Sequence, residues 1–124
     1  MSTPLAAYMD AVTDALMAAD VGVRDHYADE HGPQIGIDLD PVSAVRQPTM
    51  LWTPAAGWRI AMLCRGDVRR ATLRWLAAGP VPYPAEVVAA AARWLADPGA
   101  LTGVAPVYDT VPHLIERALA EAAR

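Results

Sequence analysis

Apolar residues recur at spacings of three and four from Leu5 to Ala19, through Tyr8, Met9, Val12, Ala15 and Leu16, with Asp10, Thr13 and Asp14 turned away. That period predicts an amphipathic helix. Thr3 and Pro4 mark its start, a side chain able to cap and a proline whose missing N–H costs nothing at the first position. Gly22 is expected to help end it. Asp25–His31 is charged and reads as a hydrophilic loop. At Gln34–Asp40 the period falls to two: Ile35, Ile37 and Leu39 alternate with Gly36, Asp38 and Asp40, the pattern of a half-buried strand. Pro41 limits its continuation.

Thr49–Thr53 and Trp58–Arg65 read as the arms of a hairpin joined by the four residues Pro54-Ala55-Ala56-Gly57. Gly66-Asp67 reads as a two-residue loop leading into another strand. This loop sets Arg65 against Val68, Met62 against Ala71, Ile60 against Leu73 and Trp58 against Trp75. One face is then Trp58, Ile60, Met62, Cys64, Ala71, Leu73 and Trp75, and the other carries Arg59, Arg65, Arg70, Thr72 and Arg74. A slip of one residue would set arginines among aliphatic side chains. Gly79–Pro84 reads as a stiff extended connector rather than a polyproline recognition segment. Pro84 opens a helix striped by Val87, Val88, Ala91, Trp94 and Leu95, and Asp97-Pro98-Gly99 closes it. A last helix follows Asp109 or Thr110 as cap, with Val111, Leu114, Ile115, Ala118 and Leu119 on one side. The elements predict a single α+β domain over residues 1–124: an N-terminal helix, a three- to four-stranded antiparallel meander, and two C-terminal helices packed on one sheet face.

Composition narrows the function classes. A chain of 124 residues fits one domain, and 54% hydrophobic with 19% charged residues is globular. Ten basic against 14 acidic residues give a net charge of −4, which argues against general binding to nucleic acid or an anionic membrane. Prolines interrupt the longest charge-free runs, such as Gln47–Trp58, well short of the ~20 residues of a membrane span. The N-terminal stretch carries Asp10 and Asp14 and lacks the basic start of a signal peptide. A single cysteine, Cys64, excludes an internal disulfide and suits a reducing cytoplasm. Every basic residue is arginine, with no lysine and 26 alanines, a bias that GC-rich codons explain. The placement of charge says more. Residues 1–40 hold eight acids against Arg24, a net of −7, and residues 59–74 hold five arginines against Asp67, a net of +4.

Leu51-Trp52, Gly57-Trp58, the strand end Trp75-Leu76-Ala77-Ala78-Gly79 and the proline entry Pro80, Pro82, Pro84 together resemble a small actinomycete family catalogued as a domain of unknown function, family 6292. The resemblance covers roughly residues 5–97. It implies a short soluble protein with an aromatic hairpin and a proline-led helix, and it supplies no activity. Thr53 and Pro54 stand where acidic residues are expected, and a helix after Tyr108 is extra.

Several residues could carry chemistry. Asp25, His26, Asp29, Glu30 and His31 are ligand types, but His26 and His31 are five apart, a spacing that does not bring them onto one helical face. A small enzyme or ligand binder would need an apolar pocket lined by His26, His31 or Asp38. No phosphate loop, nucleophile elbow or zinc-protease motif is present, Cys64 reads as a core thiol, and no catalytic residue, metal or cofactor is assigned. The strongest candidates are Arg59, Arg70 and Arg74 on adjacent strands, able to grip carboxylates or phosphates, or to be neutralised by Asp38 and Asp40. Trp52 could stack on Arg59 across the hairpin, and Met50, Trp52, Ala61 and Leu63 would form an apolar strip beside the arginines. The expectation is a non-enzymatic cytoplasmic interaction module, a homodimer or the binder of a protein partner, acting through that sheet face.

Overall fold

The computed structural model describes residues 3–64 and 72–124. Helix α1 spans Pro4–Ala18, and the Thr3 hydroxyl accepts the Ala6 N–H at 3.2 Å. The helix ends at Ala19, and Asp20, at φ 60°, takes the left-handed position there instead of Gly22. A short polar side chain tolerates that conformation. Five strands follow: β1 (Val23–Asp29), β2 (Gln34–Leu39), β3 (Arg46–Thr53), β4 (Gly57–Cys64) and β5 (Thr72–Trp75). They form one antiparallel meander in sequence order. Helix α2 (Pro84–Ala96), a 3-10 turn (Pro98–Ala100) and helix α3 (Pro112–Ala122) complete the chain. Val111, not Asp109 or Thr110, occupies the cap position of α3.

The α+β architecture is as the periodicities predict, with one strand more. Asp25–Asp29 belongs to β1, an edge strand whose Arg24 to Tyr27 are exposed. Backbone pairing to β2, rather than burial of an alternate face, makes it a strand, so its side chains carry no periodic signal.

The hairpin registers differ from expectation by one residue each. The β3–β4 loop has three residues rather than four, because Gly57, at φ 68°, already pairs with Thr53. Glycine takes that positive φ at no steric cost, and a Cβ here would lie 2.8 Å from the Gly79 carbonyl oxygen. Trp52 therefore opposes Trp58, and Met50 opposes Ile60. All four are fully buried, so Trp52 and Met50 belong to the core and not to an exposed strip. On the other side of β4, Arg59 pairs with Trp75, Ile60 with Arg74, and Ala61 with Leu73. A bond from Leu76 N to the Trp58 carbonyl (3.1 Å) continues that pairing, and one from Trp75 N to the Thr102 carbonyl (3.0 Å) bridges the other edge of β5. Arg74 thus faces the helix side opposite Ile60. Its position on an edge-proximal strand leaves it half-buried, and its guanidinium donates to the Leu73 carbonyl at 2.8 Å. The proposed Gly66-Asp67 loop lies outside the described residues.

The core gathers Leu5, Tyr8, Val12 and Leu16 of α1, the inward rows of β2 to β4, Val87, Ala91 and Trp94 of α2, and Leu119 of α3. Polar atoms tie these parts together. The Tyr8 hydroxyl donates to the Pro82 carbonyl at 2.5 Å and accepts the Trp58 indole N–H at 3.0 Å, while the Trp52 indole donates to the Pro80 carbonyl at 2.6 Å. The proline connector is therefore anchored by two buried aromatic side chains.

Burial holds the Tyr8 hydroxyl protonated well above the usual tyrosine range. The unfolded chain ionises near pH ~10 while the folded one keeps its proton. The stabilisation is therefore complete below that pH and is lost as the pH rises above it, by at most about 1.4 kcal/mol per pH unit. Urea unfolding at stepped alkaline pH should show this slope in the wild type and a shallower one in Tyr8→Phe; equal slopes would contradict it.

Candidate functional site

The inward rows of the sheet are covered by helices. The outward rows are not: the core cluster that contains residues of all three helices includes none of Leu51, Ala61, Leu63, Leu73 or Trp75. Pairing lays out this open face. One row crosses all five strands as Tyr27, Gly36, Leu51, Arg59 and Trp75. The next reads Asp25, Asp38, Thr49, Ala61 and Leu73. Beyond it Gln47 pairs with Leu63.

Apolar side chains thus occupy much of a solvent-facing surface, with Leu63 41% and Tyr27 49% exposed. Charge divides it. The β1–β2 half carries Asp25 and Asp38 directly opposed, like charges that repel, and Arg24 of β1, whose guanidinium donates to the Gln47 side-chain oxygen at 3.3 Å. One Asp38 oxygen accepts the Thr49 hydroxyl at 2.7 Å, and Asp25 caps its own neighbour's N–H. The β4 half carries Arg59. Strand β3 separates Arg59 from Asp38 by two strand spacings, about 10 Å. Among the described residues Arg59 has no ion-pair or hydrogen-bond partner from its side chain. Such a mixed apolar and charged surface has the composition of a contact surface.

The residues singled out in the sequence divide as follows. Arg59 is on the open face and Arg74 on the opposite one, so the two are not neighbours in one cluster. Trp52 is buried beneath the face and cannot stack on Arg59. Arg70 lies outside the described residues. His26 is exposed on β1 and His31 lies in the β1–β2 turn; among the described residues no three His, Cys, Asp or Glu side chains gather for a metal. Trp75, Leu51 and Tyr27 are the members that the sequence reading missed. Once Gly57 is placed in β4 rather than in the loop, the β3–β4 pairing brings Leu51 to Arg59.

A family model described as a family of unknown function, DUF6292, matches residues 8–93. The chain belongs to that family. No curated protein and no solved structure matches it. Every residue of the two full rows lies inside the DUF6292 segment. Helix α3 lies outside it, as does most of the wall of an apolar cleft of about 320 Å³ between Pro4, Leu5, Pro54, Pro112, Ile115 and Leu119. That cleft is not lined by His26, His31 or Asp38. The DUF6292 segment by itself builds the two full rows of the open face and, at the Arg46–Cys64 end of β3 and β4, a cleft of about 540 Å³ lined by Arg24, Arg46, Gln47 and Leu63.

Two neighbours on the face, Gly36 and Tyr27, are in close contact. A Cβ at Gly36 would fall 2.1 Å from the Tyr27 ring, so the ring lies flat over a position that only glycine leaves empty. Tyr27 is half-exposed, with the far end of its side chain over Gly36. Gly36→Ala should cost about 1 kcal/mol or less, and that cost should vanish in a Tyr27→Ala background, the mark of coupled neighbours in a double-mutant cycle. An equal cost in both backgrounds, measured by urea unfolding, would show that the ring is not what Gly36 accommodates.

Proposed function

We propose that this DUF6292 chain is a non-enzymatic protein-interaction module of the cytoplasm, whose open sheet face meets a protein surface, in the simplest case that of its own copy. The observation that carries this reading is the five-strand row Tyr27–Gly36–Leu51–Arg59–Trp75, which has Leu51 at its middle and sets Arg59, without a side-chain partner among the described residues, between Leu51 and Trp75. Tyrosine, tryptophan and arginine are the residues that most often anchor protein interfaces, because each buries a large area and retains a polar handle. A sheet face with this composition gains by excluding water, and Arg59 gains by finding a carboxylate. No helix of the structure is long and apolar enough to cross a membrane, and the lone Cys64 thiol suits a reducing compartment.

Leu51 is near the centre of the face, so Leu51→Glu places a charge where water must be excluded. Sedimentation velocity over a concentration series should show association of the wild type weakened at least about tenfold, a loss of about 1.4 kcal/mol. Leu114→Glu, on the exposed side of α3, should leave association unchanged. Equal association of wild type and Leu51→Glu would remove the face from the interaction.

A further inference from the structure

The open face is electrically lopsided about its middle strand. Among the described residues Asp25 and Asp38, with Arg24 reaching Gln47 at 3.3 Å, lie towards β1, whereas Arg59 lies on β4, and β3 is the third of five strands. Resting on the interaction reading above, we infer that the occupant of the face is a second copy of this chain. The two copies pack about a two-fold axis along β3 that sets Arg59 of each beside Asp38 of the other.

The geometry follows from the register. An axis lying along β3 between two facing sheets stacks β2 of one copy over β4 of the other. Row by row, Gly36 then faces Arg59 of the second copy, and Asp38 faces Ala61 of the second copy. Arg59 and Asp38 of opposite copies are offset by two residues along the strand, about 6.6 Å, which an extended arginine spans. Over Gly36 the incoming Arg59 meets the half-exposed Tyr27 ring that covers it, an aromatic surface on which a guanidinium can stack. Leu51, near the axis, meets its own symmetry mate. The contact thus pairs apolar with apolar along β3 and opposite charges on both flanks. An axis across the strands, by contrast, would set β4 on β4 and leave the acids of β1 and β2 facing one another.

The size is sufficient. Five strands about 4.8 Å apart, with up to eight residues rising about 3.3 Å each, make a face of about 500 Å² per copy, or about 1,000 Å² for the pair, the lower bound of specific interfaces. A dimer of this size is weak and reversible, and salt weakens it further through its flanking ion pairs.

Charge exchange tests the arrangement. In Arg59→Asp both cross-copy pairs become Asp against Asp, and in Asp38→Arg both become Arg against Arg. Each variant alone should dimerise at least tenfold more weakly than wild type by sedimentation equilibrium. Mixed one to one, they should form a dimer of one copy of each, because both pairs then become Asp against Arg; native mass spectrometry distinguishes it by mass. Should Asp38→Arg fail to fold, Asp38→Asn and Arg59→Gln replace it: the double variant should then lose no more affinity than either single one. A mixture no tighter than its parts, or single variants as dimeric as wild type, overturns the axis. If Leu51→Glu still dissolves the dimer in that case, the face remains the interface and only the pairing across it falls. A wild type that stays monomeric at every concentration overturns the second copy as occupant.

Discussion

The fold turns on one buried hydrogen-bond relay. Trp58 on β4 donates to the Tyr8 hydroxyl on α1, and Tyr8 donates to the carbonyl of Pro82 in the connector that leads into α2. Trp52, directly opposite Trp58, donates to Pro80 in the same connector. Helix, hairpin and connector are thereby joined through groups that would each cost about 1–3 kcal/mol if buried without a partner. Prolines suit the accepting strand of this relay. They hold it extended, and their missing N–H groups leave no donor to satisfy while their carbonyls remain free to accept.

That relay also decides which face of the sheet stays bare. Tyr8, Trp52 and Trp58 commit α1 and the connector to the same side, and α2 and α3 then each pack on α1. A meander in sequence order has no crossover connection to carry a helix to the other side. The segment after α2 follows the rim instead: Thr102 bridges to Trp75, and Tyr108 bonds Ala55 and Gly79 near the β3–β4 turn. The described chain closes one face and the end of the sheet, and leaves the outward rows uncovered.

The parts of this design that show in the sequence are those with their own local chemistry. Thr3-Pro4 and Pro84 announce helix starts, and Ile35, Ile37 and Leu39 reveal the core face of β2 by alternation. Strand β1 is hidden because both of its faces are polar or half-exposed, so no period distinguishes it from a loop. The faces of β3 are hidden for a different reason. Every residue from Pro48 to Trp52 except Thr49 is apolar, so alternation permits either face, and only loop length decides. A four-residue loop would put Trp52 against Arg59; Gly57 in its left-handed conformation shortens the loop by one and puts Trp52 against Trp58. One backbone angle thus moves a tryptophan from a candidate binding residue to the core and brings Leu51 to the surface. The β4–β5 pairing moves Arg74 to the helix side in the same way, and it places Trp75 beside Arg59 instead.

This exchange changes what the face can select. A row of arginines would attract any polyanion, and its affinity would come from charge alone. A half-buried arginine set among Leu51, Ala61, Leu73 and Trp75, as Arg59 is among the described residues, behaves differently. Covering it with an apolar surface strips its water without replacement, a cost of several kcal/mol that the apolar contact around it does not offset. A surface that offers a carboxylate at the matching place recovers that cost and keeps the apolar contact. On the interaction reading proposed above, such a face discriminates by where an acid lies rather than by how acidic the surface is. The carboxylate that the face itself displays, Asp38, is held in a fixed orientation by Thr49, one row and two strands from Arg59. It is an acid already placed by the same sheet that places the arginine.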